Sequence, residues 1–548
     1  MWARNLLFVG LILVGFAGVA AGLLSSDPIE HPTDFNPQRF AEPAARAIVE
    51  QVDSEFERYW QENELVPTAS ADNLTIARRL GLALTGTVPS LEELRIFETL
   101  PEKEQLEWYL SRLLEDRRYA DYVAERLGRA YVGTEDGPFI VFRRRRFTTW
   151  LSDQIHQNTR YDKIVRSLIS DTGIWTDAPA VNFLTVTVNP DNEGKPDAIR
   201  LAGRTTRAFL GMRIDCLQCH DDQLGNVSLG TAEEPRDGTQ SDFHHLAAFY
   251  GGVNFSLFGV TDGDGDYKYK YLNAEEEETV ARRPPFLAEL VRDEGTRREQ
   301  LANWVTHDQN KPFARAMVNR MWALLMGKPL VEPIDDIPLY GDYPPGLETL
   351  SAEFVEHDYD LRHLLRVIAE TKAFRLDSRA DFEVQPKHEN CWAVFPLTRL
   401  RPEQVAGGIL QATELTTIDA ESHIFAQLQR FNDQNSFIQR YGDAAEDEFD
   451  ERAGTIAQRL LMMNGKLVKE QTVQNPLFNA TTQLAALAPT DEKAVETAYL
   501  AVLTRRPSAE ELTHFAARLK DLSGDRRTQE LEDLYWVLIN STEFSWSH

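Results

Sequence analysis

Three cysteines in 548 residues leave no disulfide framework, so this chain must hold itself together with buried apolar surface. Two of the three stand together as Cys216-Leu217-Gln218-Cys219, with His220 immediately after, while Cys391 is remote from both. The chain is also too long for one ordinary core, and its length predicts roughly three to four units of about 150 residues, or two larger ones. The apolar fraction of 42% and charged fraction of 26% are ordinary for a folded body. A net charge of −28 speaks against nucleic acid or an anionic lipid face as the main partner, because both need a basic footprint. It suits solubility, or a cationic partner docked by charge.

The N-terminus carries the compartment signal. Arg4 precedes an apolar run from Leu6 to Leu24, which is followed by Ser25, Ser26, Asp27 and Pro28. The run is nearer the length of a membrane span than that of a signal-peptide core. As an anchor it would leave Arg4 in the cytoplasm and carry the acidic flank across. Small residues at Val19-Ala20-Ala21 could instead serve as a cleavage site. Residues 1–25 therefore read as a signal anchor or a signal peptide, and 26–44 as a tether. The body is expected in the periplasm or another extracytoplasmic space, membrane-anchored through the N-terminal helix, or secreted if the segment is cleaved.

Beyond the tether the pattern is mainly α. Helical periodicity starts near Pro43 and runs through Phe56 and Trp60, and Asn73-Leu74-Thr75 opens a second helix. Gly86-Thr87-Val88-Pro89 interrupts it, and Ser90 with Glu93 three residues on predicts a capped restart. Further helices are expected over Phe147–Ile155, Ile164–Ile169, Ala198–Leu210 and Asp242–Tyr250. Only Phe183–Val188 and Lys268–Tyr271 alternate with the period of a strand. The stretch 253–296 is irregular, with the acidic run Glu275–Glu278 and Arg282-Arg283-Pro284-Pro285. It divides the body into two large helical domains, 45–252 and 297–548, joined by an acidic linker.

The residues that carry chemistry centre on Cys216, Cys219 and His220. Two thiols at this spacing can meet the two vinyl groups of one haem, and the adjacent histidine can sit under the iron as axial ligand. The expected cofactor is one covalent haem c, and an export signal agrees with it. A plain disulfide, a vestigial loop, or a zinc site completed by His244 or His245 are the competing readings. Upstream, Arg200, Arg204 and Arg207 fall at i, i+4 and i+7, the spacing of one helical face, where they could contact haem propionates or simply form a solvated basic face. No methionine occurs between Met212 and Met317, so His245, or else His244, is the candidate sixth ligand, with His245 preferred because it precedes the apolar Leu246–Tyr250 run. Asp262-x-Asp264-x-Asp266 starts like a calcium loop, but Tyr267 replaces the glycine and Asn273 the closing glutamate, so an Asp-Gly turn is expected. No hydrolase, nucleotide or zinc-protease motif is present, and an enzymatic role has no residue set behind it.

With these residues in hand, the chain resembles a two-domain family: the planctomycete-type cytochrome c-like domain of unknown function, followed by its usual partner domain, also of unknown function. The first resemblance spans roughly 45–252 and rests on Ala77-Arg78-Arg79-Leu80, Leu84-Thr85-Gly86, Val88-Pro89-Ser90, Arg118-Tyr119, Tyr161-Asp162, the Cys216–Asp221 motif and Leu246–Tyr250. The second spans roughly 297–548 and rests on Arg297-Arg298, Trp304, Phe313–Ala316, Val318-Asn319-Arg320, Trp322, Asp335-Asp336, Leu503–Pro507 and Trp536 through Phe544. The resemblance implies a large helical extracytoplasmic protein with a cytochrome-like haem motif, and supplies no established activity. Many relatives read Cys-x-x-Cys-His-Asp-His-Pro, whereas this chain has Asp222 and Gln223 after Asp221. The expected function is electron transfer, or a redox subunit whose partner the sequence does not identify. The alternative is a structural or adaptor protein in which the motif only fixes a loop.

Overall fold

The computed structural model describes residues 43–133, 142–188, 194–418 apart from 257 and 273, and then 436–438, 440–441, 455–465, 467–468 and 480–548. The Leu6–Leu24 run, nearly all of the tether and Asn273 lie outside the described residues. Among the described residues no helix is long and apolar enough to cross a membrane.

The architecture is mainly helical. The helices that frame the core and position its polar clusters are α1 (Pro43–Glu62), α2 (Asn73–Thr85), α3 (Ala198–Thr205), α4 (Gln240–Ala247), α5 (Lys311–Met326), α6 (Leu347–Glu356) and α7 (Leu361–Glu370). Local chemistry sets many of the ends. Asp72 caps α2 through Thr75 N–H, and Ser90 with Glu93 forms the expected capping box. Thr239 and Asp242 form another at the start of α4. Strands are few and short, paired antiparallel in twos: Val253–Ser256 with Gly259–Asp262, Lys268–Tyr269 with Glu278–Thr279, and Thr398–Arg399 with Trp546–Ser547 among them. The alternating Phe183–Val188 stretch is not a strand. Asn182–Thr185 is a helical turn with Phe183 and Leu184 both fully buried, so burial on every side, not alternation, governs it.

Apolar packing is apportioned differently from the division at 253–296. One core collects residues from Val49 to Phe395, drawing on both sides of that stretch. A second gathers residues from Leu400 to Phe544, and takes Leu82 and Val88 from the first half. The 253–296 stretch is sparse in regular structure, yet Val253, Val260 and Phe286 sit in the first core, and Trp304 donates to the Phe286 carbonyl at 3.2 Å. Its acidic run is exposed. Averaged composition hides these few apolar anchors.

Helix α2 joins the two cores. Arg78 and Arg79 are both buried, and their guanidiniums end on backbone carbonyls: Arg78 on Val502 and Phe544, Arg79 on Phe374, Leu376 and His548. Burial lowers Arg78 to about 10 and Arg79 to about 9. Arg79 also lies over the Phe395 ring at 3.6 Å. Closer to the cysteines, Asp335 of the second half accepts from Arg207 at 2.9 Å and from Arg213 at 2.7 Å.

Candidate functional site

The chain reaches the Cys216 motif through an irregular descent. α3 ends in a π-helical turn, Thr206–Leu210, and Gly211 closes it at φ +61°, where a β-carbon would also press on Ile337 and Ala316 at 3.1 and 3.2 Å. Asp215–Gln218 then forms one 3₁₀ turn. Leu217 points inward and is fully buried, while Cys216, Cys219 and His220 are exposed and both of those thiols are free. Gly238 lies over Leu217 closely enough that a β-carbon would come within 2.7 Å of its methyl.

What fixes this turn is the carbonyl of Gln218, in the middle of the motif. It accepts from His244 Nε2 at 3.0 Å, from Tyr269 Oη at 3.2 Å and from Gln240 Nε2 at 3.2 Å. A carbonyl can only accept, so His244 carries its proton on Nε2, and its Nδ1 accepts from Tyr267 Oη at 2.8 Å. Burial pulls the His244 imidazole below its usual range, against the opposing pull of the Gln218 bond. Tyr269 stacks on that ring at 3.4 Å between centroids, with Tyr267 beyond, and Tyr271 meets it edge-on at 5.6 Å. The Tyr-Lys alternation of 267–271 thus sends three aromatic rings toward one histidine. Period-2 alternation was the visible signal, but nothing local named its target.

Two acids complete the frame. Asp221 accepts from the Gln240 N–H at 2.7 Å, docking the motif on the start of α4. Asp222 accepts from the N–H groups of Val227 and Leu224 at 2.6 and 2.9 Å, and these bonds lower its carboxyl. His220 Nδ1 lies 2.7 Å from the Asp221 carbonyl, so Nδ1 is the protonated nitrogen and Nε2 carries the lone pair. The Cys216 thiol is pushed up, first by partial burial and then by the nearby Asp222 charge, so it is a neutral thiol.

The other residues singled out by spacing are distributed more widely. α4 turns His244 onto the motif, while the sequence-based preference for a sixth ligand is His245. Leu246 and Phe243 fill the core, and neighbouring helical positions point about 100° apart, so the two histidines cannot face one way. His245 is partly exposed, with Ser241 Oγ at 3.3 Å. Arg207 is committed to Asp335, Arg204 is half-buried and Arg200 is exposed. The π turn interrupts the register that i, i+4, i+7 assumes. In the calcium-like stretch, Arg298 donates to Asp262 at 2.6 Å and Arg297 lies 3.5 Å from Asp266, so two of the three carboxylates are answered by arginines. A second cluster escaped sequence reading altogether: Glu353, His357 and His363, whose ligand atoms lie within 4.8 Å of one another.

Two family models match the chain in succession. Residues 51–253 match PSCyt2, a protein of unknown function (DUF1549), and residues 297–519 match PSD1, a protein of unknown function (DUF1553). The chain belongs to this two-domain family. The PSCyt2 match contains the whole Cys216–His220 turn, with α4 and its His244. The PSD1 match contains Asp335 and the Glu353–His363 cluster. No curated protein and no solved structure matches the chain.

Proposed function

We propose that the PSCyt2 half carries one covalent haem c through Cys216 and Cys219, with His220 as axial ligand, in an extracytoplasmic electron-transfer protein or redox subunit. The observation that carries this reading is that all three donors are exposed on one short turn whose backbone is anchored from behind by the Gln218 carbonyl. The donor chemistry fits the group: two free thiols, and an imidazole with its Nε2 lone pair available. Leu224 and Leu272, 82% and 71% exposed, stand in the loop after the motif and beside Gln240, where an apolar macrocycle would cover such side chains. The haem would supply a one-electron couple, and the protein its attachment, axial ligation and surroundings. Of the α4 histidines only His244 lies against the motif, and it would have to give up Gln218 to serve as sixth ligand. Exposed Arg200, rather than Arg207, would be the arginine of this face that meets a propionate. Export and anchoring rest on the Leu6–Leu24 run.

The rival reading is a structural or adaptor loop without redox function, and one observation favours it: the Gln218 carbonyl takes three donors from the chain itself. The visible spectrum separates the two. Protein produced with c-type maturation machinery should keep haem-stained peroxidase activity after denaturation, and Cys216→Ala with Cys219→Ala should remove it. Colourless protein with free or paired thiols would defeat the haem reading.

A further inference from the structure

The PSD1 half holds a second cluster of ligating side chains, independent of the cysteines. α6 and α7 are consecutive helices in contact, joined by a four-residue turn, 357–360. Asp358 and Tyr359 both take left-handed backbone, at φ 55° and 58°, an uncommon conformation for non-glycine residues and rarer still in succession. Packing holds them there: the Tyr359 ring is buried against Phe313 and Phe354. This turn brings three side chains together. Glu353 on the last turn of α6 and His357 four residues on share a helical face, and His363 enters from the first turn of α7.

Within the cluster both imidazoles lie against one carboxylate oxygen. His363 Nε2 lies 2.7 Å and His357 Nδ1 3.0 Å from the same oxygen, Glu353 Oε1. The two imidazoles stack at 3.8 Å with 12° between planes, so an ion held by both nitrogens requires one ring to swing out of the stack. Glu353 and His363 are buried, whereas the His357 side chain is 30% exposed and opens the cluster to solvent on one side.

We propose that Glu353, His357 and His363 form a binding site for a borderline divalent cation of the zinc type, with solvent in the fourth position. Two imidazoles and a carboxylate are the donors such a cation selects, while magnesium and calcium want an all-oxygen shell. Bonds of about 2.0–2.1 Å in a tetrahedron place ligand atoms about 3.3 Å apart, so the two nitrogen–oxygen separations need to open by only a few tenths of an ångström, while one imidazole turns so that both lone pairs meet the ion. Helix α6 presents His357 at the fourth residue after Glu353, and the strained turn at Asp358-Tyr359 brings His363 to the same carboxylate.

The test uses the full chain carrying Cys216→Ala and Cys219→Ala, so that the motif thiols cannot compete, stripped with chelator at neutral pH. Titration calorimetry with zinc should give one ion per chain, and cobalt should give the visible bands of a low-coordinate site without thiolate charge transfer. Glu353→Gln and His357→Ala should each weaken zinc by roughly tenfold or more while circular dichroism stays that of the parent. If a variant unfolds, the parent itself decides the matter: zinc should protect His357 from diethyl pyrocarbonate while exposed His514 remains modified. Absence of stoichiometric binding, binding unchanged in both folded variants, or equal modification of His357 with and without zinc would overturn the site.

Discussion

His244 Nε2 donates to the carbonyl of Gln218 at 3.0 Å, tying α4 to the middle of the C-x-x-C-H turn. The same ring accepts from Tyr267 and lies under Tyr269, so the turn is held by contacts 26 and 51 residues downstream. His244→Ala leaves the Gln218 carbonyl with two donors and opens a gap beneath Tyr269. We expect a loss of about 1–3 kcal/mol in urea unfolding. His245→Ala should stay within about 0.5 kcal/mol, because His245 is partly exposed and only weakly bonded. Equal losses would show that the clamp is not what stabilises the turn.

Arg79 is expected to be among the costliest single side chains to remove. Its guanidinium serves carbonyls of Phe374, Leu376 and His548, all far away in sequence. Arg79→Ala should destabilise by about 3–5 kcal/mol, since it strands buried acceptors at the junction of the two cores. Equilibrium denaturation measures this, and a change below about 1 kcal/mol would contradict the role given to α2.

Acid should loosen the contact between the halves at Asp335. Burial alone would raise this carboxyl, but the hydrogen bond from Arg213 and the charge of Arg207 outweigh it and hold it below its usual value. A carboxyl lowered in the fold contributes stability above the unfolded-state value of about 3.9, and loses that contribution as pH falls toward the folded-state value. Asp335→Asn should therefore cost about 1–2 kcal/mol near neutrality, moderated by the exposure of both arginines, and the gap from the parent should narrow below about pH 4. A gap that stays constant across that range would rule out the ion pair as its source.

Cleavage in the exposed Glu275–Glu278 run should not release two separate proteins. The first core spans both sides of this run, and Val260 and Phe286 are anchored in it on either side of the cut. Chain nicked there by a glutamate-specific protease is expected to elute as one particle in size-exclusion chromatography, and to separate only in denaturant. Two folded species after nicking would show that the halves pack independently.

Much of the helical architecture was legible because its signals are local. Ser90 with Glu93 marked a helix start that the structure reproduces, and the periodic runs through Trp60, Ile164 and Leu246 are helices. Phe183–Val188 misled because a short apolar stretch buried on all sides has no face for a period to report. The π turn after α3 was equally silent, and with it went the expectation that Arg200, Arg204 and Arg207 share one face.

What the amino-acid order determined by itself was the set of donors that are neighbours in the chain: Cys216, Cys219 and His220 within five residues, together with the mainly helical class and the two-domain family. Tertiary structure alone decided which histidine meets that motif, which tyrosines enclose it, and that Glu353, His357 and His363 come together. The physical reason is range. Capping, periodicity and motif spacing act within a few residues and leave a pattern in the sequence. The direction of a side chain across a folded turn or between helices depends on how distant apolar surfaces pack, and no short stretch of sequence encodes that.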